Sequence, residues 1–122
     1  ILQVGYLTRA PYEYSHHIKL GRDFGVSDDD VRAIAEESAG RSTKLDELAR
    51  MVLRAAREMT LDMAVSEETF DSLRAHLDNE RLVDLTMTIA FYNGVVRLLA
   101  TLGIDVEDDY RHYLDEFPLP EK

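Results

Sequence analysis

The densest run of chemistry-bearing side chains in this 122-residue chain is Tyr12-Glu13-Tyr14-Ser15-His16-His17. On a helix, Glu13 and His17 stand four apart and share a face. A carboxylate beside an imidazole favours the protonated ring. Such a pair can hold a proton near neutral pH and deliver it, which is general acid-base work. Glu13 and His17 are therefore the candidate catalytic residues. Tyr12 and Tyr14 can frame the site and lend hydroxyl hydrogen bonds. His16 lies about 100° round the helix from His17, so the two rings need not share a role. The same spacing also suits a plain surface ion pair contributing about 0.2–0.5 kcal/mol.

Other residues are weaker candidates. Glu13, His16 and His17 offer metal-ligand types within five residues, but no fourth ligand is evident, so no metal is expected. No cofactor is expected either. Asn93 interrupts an apolar helix face. A buried amide must find partners, so Asn93 either ties that helix to a neighbour or lines a polar pocket. Arg9 can neutralise an acidic substrate or simply sit solvated at a helix boundary, and Arg97 is similar. His76 and His112 read as surface residues. Asp28-Asp29-Asp30 reads as helix capping, because no calcium-loop glycine and distal glutamate follow. Met51, Met59, Met63 and Met87 read as core filler.

The elements that must position these groups are helical. Apolar residues recur at three and four, and alternation at period two is nowhere sustained, so the fold class is all-α. The chain reads as one domain over residues 1–122 that lacks an upstream N-terminal segment, because Ile1, Leu2, Val4, Tyr6 and Leu7 are already apolar. Thr8-Arg9-Ala10-Pro11 reads as a break. A second helix is expected from Pro11 to Phe24, stopped by Gly25. Ser27 begins the next, which ends near Ser38-Ala39-Gly40. Thr43 is the expected cap of a helix reaching about Thr60, and Ser66 of one reaching Leu77. Asp78 or Asn79 caps a long helix from Glu80 to Leu102, ended by Gly103. Its apolar surface is wider than one small domain needs for one stripe, which predicts a central helix or one that also packs against another subunit. Tyr110, Tyr113, Leu114 and Phe117 mark a short last helix. Pro118-Leu119-Pro120 is expected to dock on a neighbour or fray.

Composition excludes several functions. The residues are 45% hydrophobic, enough for a core, and 24 acidic against 14 basic residues give a net charge of -10. That charge repels phosphate backbones and anionic membranes, so neither nucleic acid nor a membrane is an expected partner. Asn93, Arg97 and Gly103 interrupt the longest apolar runs, so no segment is expected to span a bilayer. With no cysteine, thiol nucleophiles, disulfides and thiolate metal sites are ruled out. The lack fits a reducing compartment, and a cytoplasmic location is expected.

Leu7-Thr8-Arg9-Ala10-Pro11-Tyr12-Glu13-Tyr14-Ser15-His16-His17 resembles the signature helix of the carboxymuconolactone decarboxylase family, which has the alkylhydroperoxidase D-like fold. The similarity continues through Gly25-Val26-Ser27-Asp28, Val65-Ser66-Glu67-Glu68-Thr69-Phe70, Leu82-Val83-Asp84-Leu85-Thr86, Ala90-Phe91-Tyr92-Asn93 and Leu102-Gly103-Ile104. The resemblance implies a helical bundle assembling into homo-oligomers, trimers or hexamers. The hydroperoxidase branch carries a Cys-x-x-Cys-x-x-x-His motif, whose cysteines fall on Ala10 and Glu13 and whose histidine falls on His17. Peroxiredoxin-type peroxide reduction has no sulfur to use here. The decarboxylase branch needs only an acid near neutrality and stabilised negative charge. The resemblance thus implies a lyase acting on a small organic acid or lactone. Glu13 and His17 would carry acid-base chemistry, Tyr12, Tyr14 and Asn93 would shape the pocket, and Arg9 would hold a substrate carboxylate. The family's further acidic residue would fall before Ile1. The alternative is a non-catalytic binding or assembly member of the fold.

Overall fold

The structure, a computed structural model, describes residues 1–122. Its elements are α1 (Leu2–Leu7), α2 (Pro11–Asp23), α3 (Asp28–Ser38), α4 (Glu47–Leu61), α5 (Glu67–His76), α6 (Asn79–Thr101) and α7 (Asp108–Glu116). There is no strand, so the all-α class read from apolar spacing holds.

Local chemistry starts most of these helices. Ser27 Oγ accepts from the Asp30 N–H at 3.1 Å, and the Asp30 carboxylate accepts from the Ser27 N–H at 2.9 Å. This reciprocal pair satisfies two amides that would otherwise be orphaned. Ser66 and Asp78 cap α5 and α6 from one side only, each accepting from the amide three residues on. The expected cap at Thr43 is corrected: Asp46 caps α4, accepting from the Ala49 N–H at 2.7 Å. Thr43 is engaged elsewhere, donating to Glu37 Oε1 at 2.6 Å.

Six-residue α1 is too short to persist alone, yet it packs against α2, α3, α4 and α6. Buried Gln3 explains part of its hold. Its amide donates to Ser38 Oγ at 2.9 Å and its carbonyl accepts from Arg57 Nη1 at 3.2 Å, tying α1 to α3 and α4. Gly5 permits the close approach to α2, since a Cβ there would lie 3.4 Å from the Tyr14 backbone.

Two apolar clusters result. The larger joins Val4, Ala55, Ala56, Leu73, Leu82, Ile89 and Val96. The smaller joins Tyr14, Ile18 and Val31 to Phe117, with Leu119 packed alongside. The expectation for Pro118-Leu119-Pro120 is therefore corrected. The chain's last turn folds back on its own α2 and α3, because Phe117, only 4% exposed, anchors it.

An ion-pair hub joins α4 to α5. Glu58 accepts from the Ser66 N–H at 2.8 Å, from Thr69 Oγ1 at 2.8 Å and from Arg54 Nε at 3.0 Å. Burial would raise the Glu58 pKa, but the bonds from Ser66, Thr69 and Arg54 outweigh it and hold the carboxyl below the usual glutamate range. A folded pKa below the unfolded one means the stabilisation is full above the unfolded value and is lost as pH falls through the folded one. Glu58→Ala also removes the acceptor of the Thr69 hydroxyl, which is fully buried and keeps only Ser66 Oγ, at 3.1 Å, as a partner. The expected cost at pH 7 is about 2–3 kcal/mol by urea denaturation. The gap between the two proteins should narrow below the carboxylate range; a gap that stays constant into acid would mean the charge is not what matters.

Helix α6 carries two apolar stripes. Leu82, Ile89 and Val96 are buried, whereas Val83, Met87, Phe91 and Leu98 face outward. Only 17% of its most apolar stretch is buried, at a mean hydropathy of 1.3. This corrects the expectation that polar interruptions leave no spanning segment: α6 is long and apolar enough to cross a membrane by length and composition. Asn93 and Arg97 do not break it, because Arg97 Nη1 donates to Asn93 Oδ1 at 3.0 Å within the helix, and Gly103 lies beyond its end. The assignment of all four methionines to the core is corrected too. Met51 and Met59 pack against it, but Met63 is 87% and Met87 62% exposed.

Candidate functional site

Helix α2 presents its two histidines in different directions. His17 is 15% exposed and Glu13, one turn earlier, is 8% exposed at the side chain. The ring Nδ1–H donates to the Glu13 backbone oxygen at 2.9 Å. A carbonyl oxygen can only accept, so Nδ1 carries a hydrogen whatever the charge on the ring. Proton exchange therefore falls to Nε2, which has no protein hydrogen-bond partner. Glu13 Oε2 lies 3.0 Å from Nδ1 but off the line of its N–H, and it is buried with no hydrogen bond of its own. A buried carboxyl group thus stands directly behind the ring, with acceptor capacity unspent. The edge of His17 meets Tyr92 on α6, ring centroids 5.2 Å apart.

The open side of His17 borders a cavity of about 700 Å³ between α2, α3 and α4. Its walls are largely apolar, with Leu20, Phe24, Ile34, Leu45 and Val52. Lys44 also lines it, and its ammonium meets no carboxylate. Asp30 and Asp46 line it as well, but each carboxylate already accepts a capping amide. The cavity can take an apolar body beside a proton donor at His17, and Lys44 is the side chain of its lining that can meet an anionic end, with the Asp30 and Asp46 carboxylates on the same wall.

His16 turns to the opposite side. Its ring is stacked between Tyr12, at 4.2 Å, and Tyr110 of α7, at 3.8 Å. Its Nε2–H donates to Glu107 Oε2 at 2.7 Å. That bond, first among the causes, holds the Glu107 carboxyl below its ordinary range. His16 thus pins α7 onto α2 and takes no part in the His17 cavity.

The residues grouped by sequence are dispersed by the fold. Glu13 and His17 stay together. Tyr14 does not line the cavity; it is buried between Tyr6, Ile18 and Phe117, and burial, aided by Tyr6, pushes its hydroxyl up to about 12. Tyr12 and Arg9 line a separate groove with Arg97. Arg9 sits there in left-handed backbone, φ 52°, between α1 and α2. Asn93 borders a third hollow with Met59 and Arg97. Its amide donates to Thr60 Oγ1 and to the Ile89 carbonyl, each at 3.1 Å. It therefore ties α6 to α4 and does not face His17. Sequence reading missed Lys44, because a lone lysine in the α3–α4 connection carries no spacing signal.

No family model, curated protein or solved structure matches this chain.

Proposed function

We propose that this chain is a carboxymuconolactone decarboxylase-like lyase that removes carbon dioxide from a small lactone acid or related organic acid. The single observation that carries this reading is His17, whose Nδ1 is held by Glu13 and whose Nε2 is left free beside a largely apolar cavity. In the step, the bond between the carboxylate carbon and its neighbour breaks. Carbon dioxide departs, and the electron pair stays on the neighbouring carbon, delocalised into the lactone carbonyl as an enolate. Nε2–H of the protonated ring supplies the proton to that carbon, and water restores the proton to the ring. Glu13 stabilises the charged ring from behind. The apolar walls pack against the hydrocarbon body, and Lys44 holds the anionic end.

The test is carbon dioxide release from a panel of lactone acids in deuterium oxide. One deuterium per turnover at the vacated carbon is expected, and no release from any member of the panel overturns the reading. Lys44→Met should raise KM about tenfold with a smaller change in kcat, as loss of one charge-assisted contact in a part-exposed site implies. An unchanged KM would remove Lys44 from binding.

A non-catalytic assembly role is the second reading, favoured by the outward stripe of α6. In either role the chain is proposed to form a homo-oligomer, a trimer or hexamer by the resemblance, through Val83, Met87, Phe91 and Leu98. Sedimentation equilibrium at micromolar concentration should show an oligomer that Phe91→Asp dissociates. A monomeric parent protein would contradict it.

A further inference from the structure

Away from His17 lies a second concave surface, a groove of about 610 Å³ where the α1–α2 junction meets the last turns of α6. It shares no lining residue with the His17 cavity. Arg9 and Arg97 both line it, and neither guanidinium meets a carboxylate. The chain carries a net charge of -10, and six of its eleven arginines, Arg22, Arg32, Arg41, Arg54, Arg81 and Arg111, are ion-paired; Arg9 and Arg97 are two of the five that are not, and they share one concave surface. Arg9 makes no side-chain hydrogen bond at all. Arg97 donates through Nη1 alone, to the Asn93 carbonyl at 2.7 Å and to Asn93 Oδ1 at 3.0 Å. Its Nε and Nη2 edges remain unspent. Asn93 is itself fixed by Thr60 and the Ile89 carbonyl, so the guanidinium is held in place before any ligand arrives, which lowers the ordering cost of binding.

One carboxylate lies on the lining, Asp105. It is already spoken for, accepting from the Val106 N–H at 2.7 Å and from Arg111 Nη2 at 3.1 Å. The groove thus keeps two unneutralised cations with one compensated anion. Its remaining walls include Val96, Leu99 and Ile104, which are apolar and would be wasted on a bare inorganic ion.

We propose that this groove binds a small organic acid, with its carboxylate on the guanidiniums of Arg9 and Arg97 and its short hydrocarbon body against Val96, Leu99 and Ile104. A planar carboxylate suits the fork of free N–H groups on Arg97. Asn93 is then a positioning residue that aims Arg97. This gives a common reason for Asn93 and Arg97 in the largely apolar C-terminal half of α6. The site does not depend on the His17 reading.

Calorimetric titration of the full chain at low salt tests it, with valerate, valeramide and inorganic phosphate as probes. Valerate should bind saturably, with chemical-shift changes at the methyls of Val96, Leu99 and Ile104. Arg97→Gln and Arg9→Gln should each weaken it about tenfold. Both residues are exposed, so the variants should keep the parent melting temperature, and Arg97→Lys should recover only part of the loss because it lacks the fork. Asn93→Ala should weaken valerate less than Arg97→Gln does. His17→Gln should bind valerate as the parent does, which separates this site from the proposed lyase centre. Absence of saturable valerate binding, equal binding of the neutral amide, affinity unmoved by both arginine variants, or phosphate binding as tightly as valerate would each overturn the assignment.

Discussion

Exchange of His17 for glutamine is expected to lower the rate of carbon dioxide release by about 10²–10⁴-fold, the usual range for a positioned general acid. Glutamine preserves bulk and polarity but cannot carry a proton between two states. The reason for so large an effect is geometric. Nδ1 is committed to the Glu13 carbonyl at 2.9 Å, so no other nitrogen of the ring can serve. Asp30 and Asp46 already accept capping amides. The His17 hydrogen bond is local to α2 and glutamine keeps most of the bulk that meets Tyr92 of α6, so the variant should stay folded with at most a small fall in melting temperature. Steady-state kinetics on whichever lactone acid turns over fastest is the measurement. A folded variant with parental kcat/KM would remove His17 from the mechanism.

The second large effect concerns stability. Tyr14→Ala is expected to cost about 3–5 kcal/mol, the range for deleting a buried aromatic ring. Tyr14 fills the junction of α2 and α3 with the returning C-terminal turn, touching Ile18, Val31 and Phe117. Its ring lies 5.9 Å from that of Tyr6. Removing it leaves a cavity, because Gly5 and the Tyr14 backbone already stand at contact distance and α1 cannot collapse inward. Tyr14→Phe keeps the packing and should leave both stability and turnover nearly unchanged. Urea denaturation of both variants, with kinetics on Tyr14→Phe, decides between a core role and a pocket role. A tenfold fall in turnover with unchanged stability in Tyr14→Phe would return the hydroxyl to the site.

Tyr14 illustrates why the signature run was only partly legible. Tyr12, Glu13, Tyr14 and His16 are neighbours in sequence, yet each residue advances about 100° round α2. The four therefore face three surroundings: Tyr12 and His16 stack together beside α7, Glu13 backs His17 and Tyr14 enters the core. Only residues one turn apart keep company, which is why the Glu13–His17 pair survived the passage from sequence to fold.

What the residues determined by themselves is local. The helical class, the reciprocal cap at Ser27 and Asp30, the starts of α5 and α6 and the stop at Gly25 all follow from bonds spanning four residues or fewer. What only the tertiary structure decided spans longer stretches of chain. The α3–α4 connection brings Lys44 to the cavity wall beside His17. The α4–α5 hub at Glu58 is closed by Ser66 and Thr69. Phe117 returns to α2 from the far end of the chain, and Arg97 is brought to the same groove as Arg9. Each of these contacts depends on which helix faces are buried against which, and burial is a collective outcome of packing that no single spacing along the chain encodes.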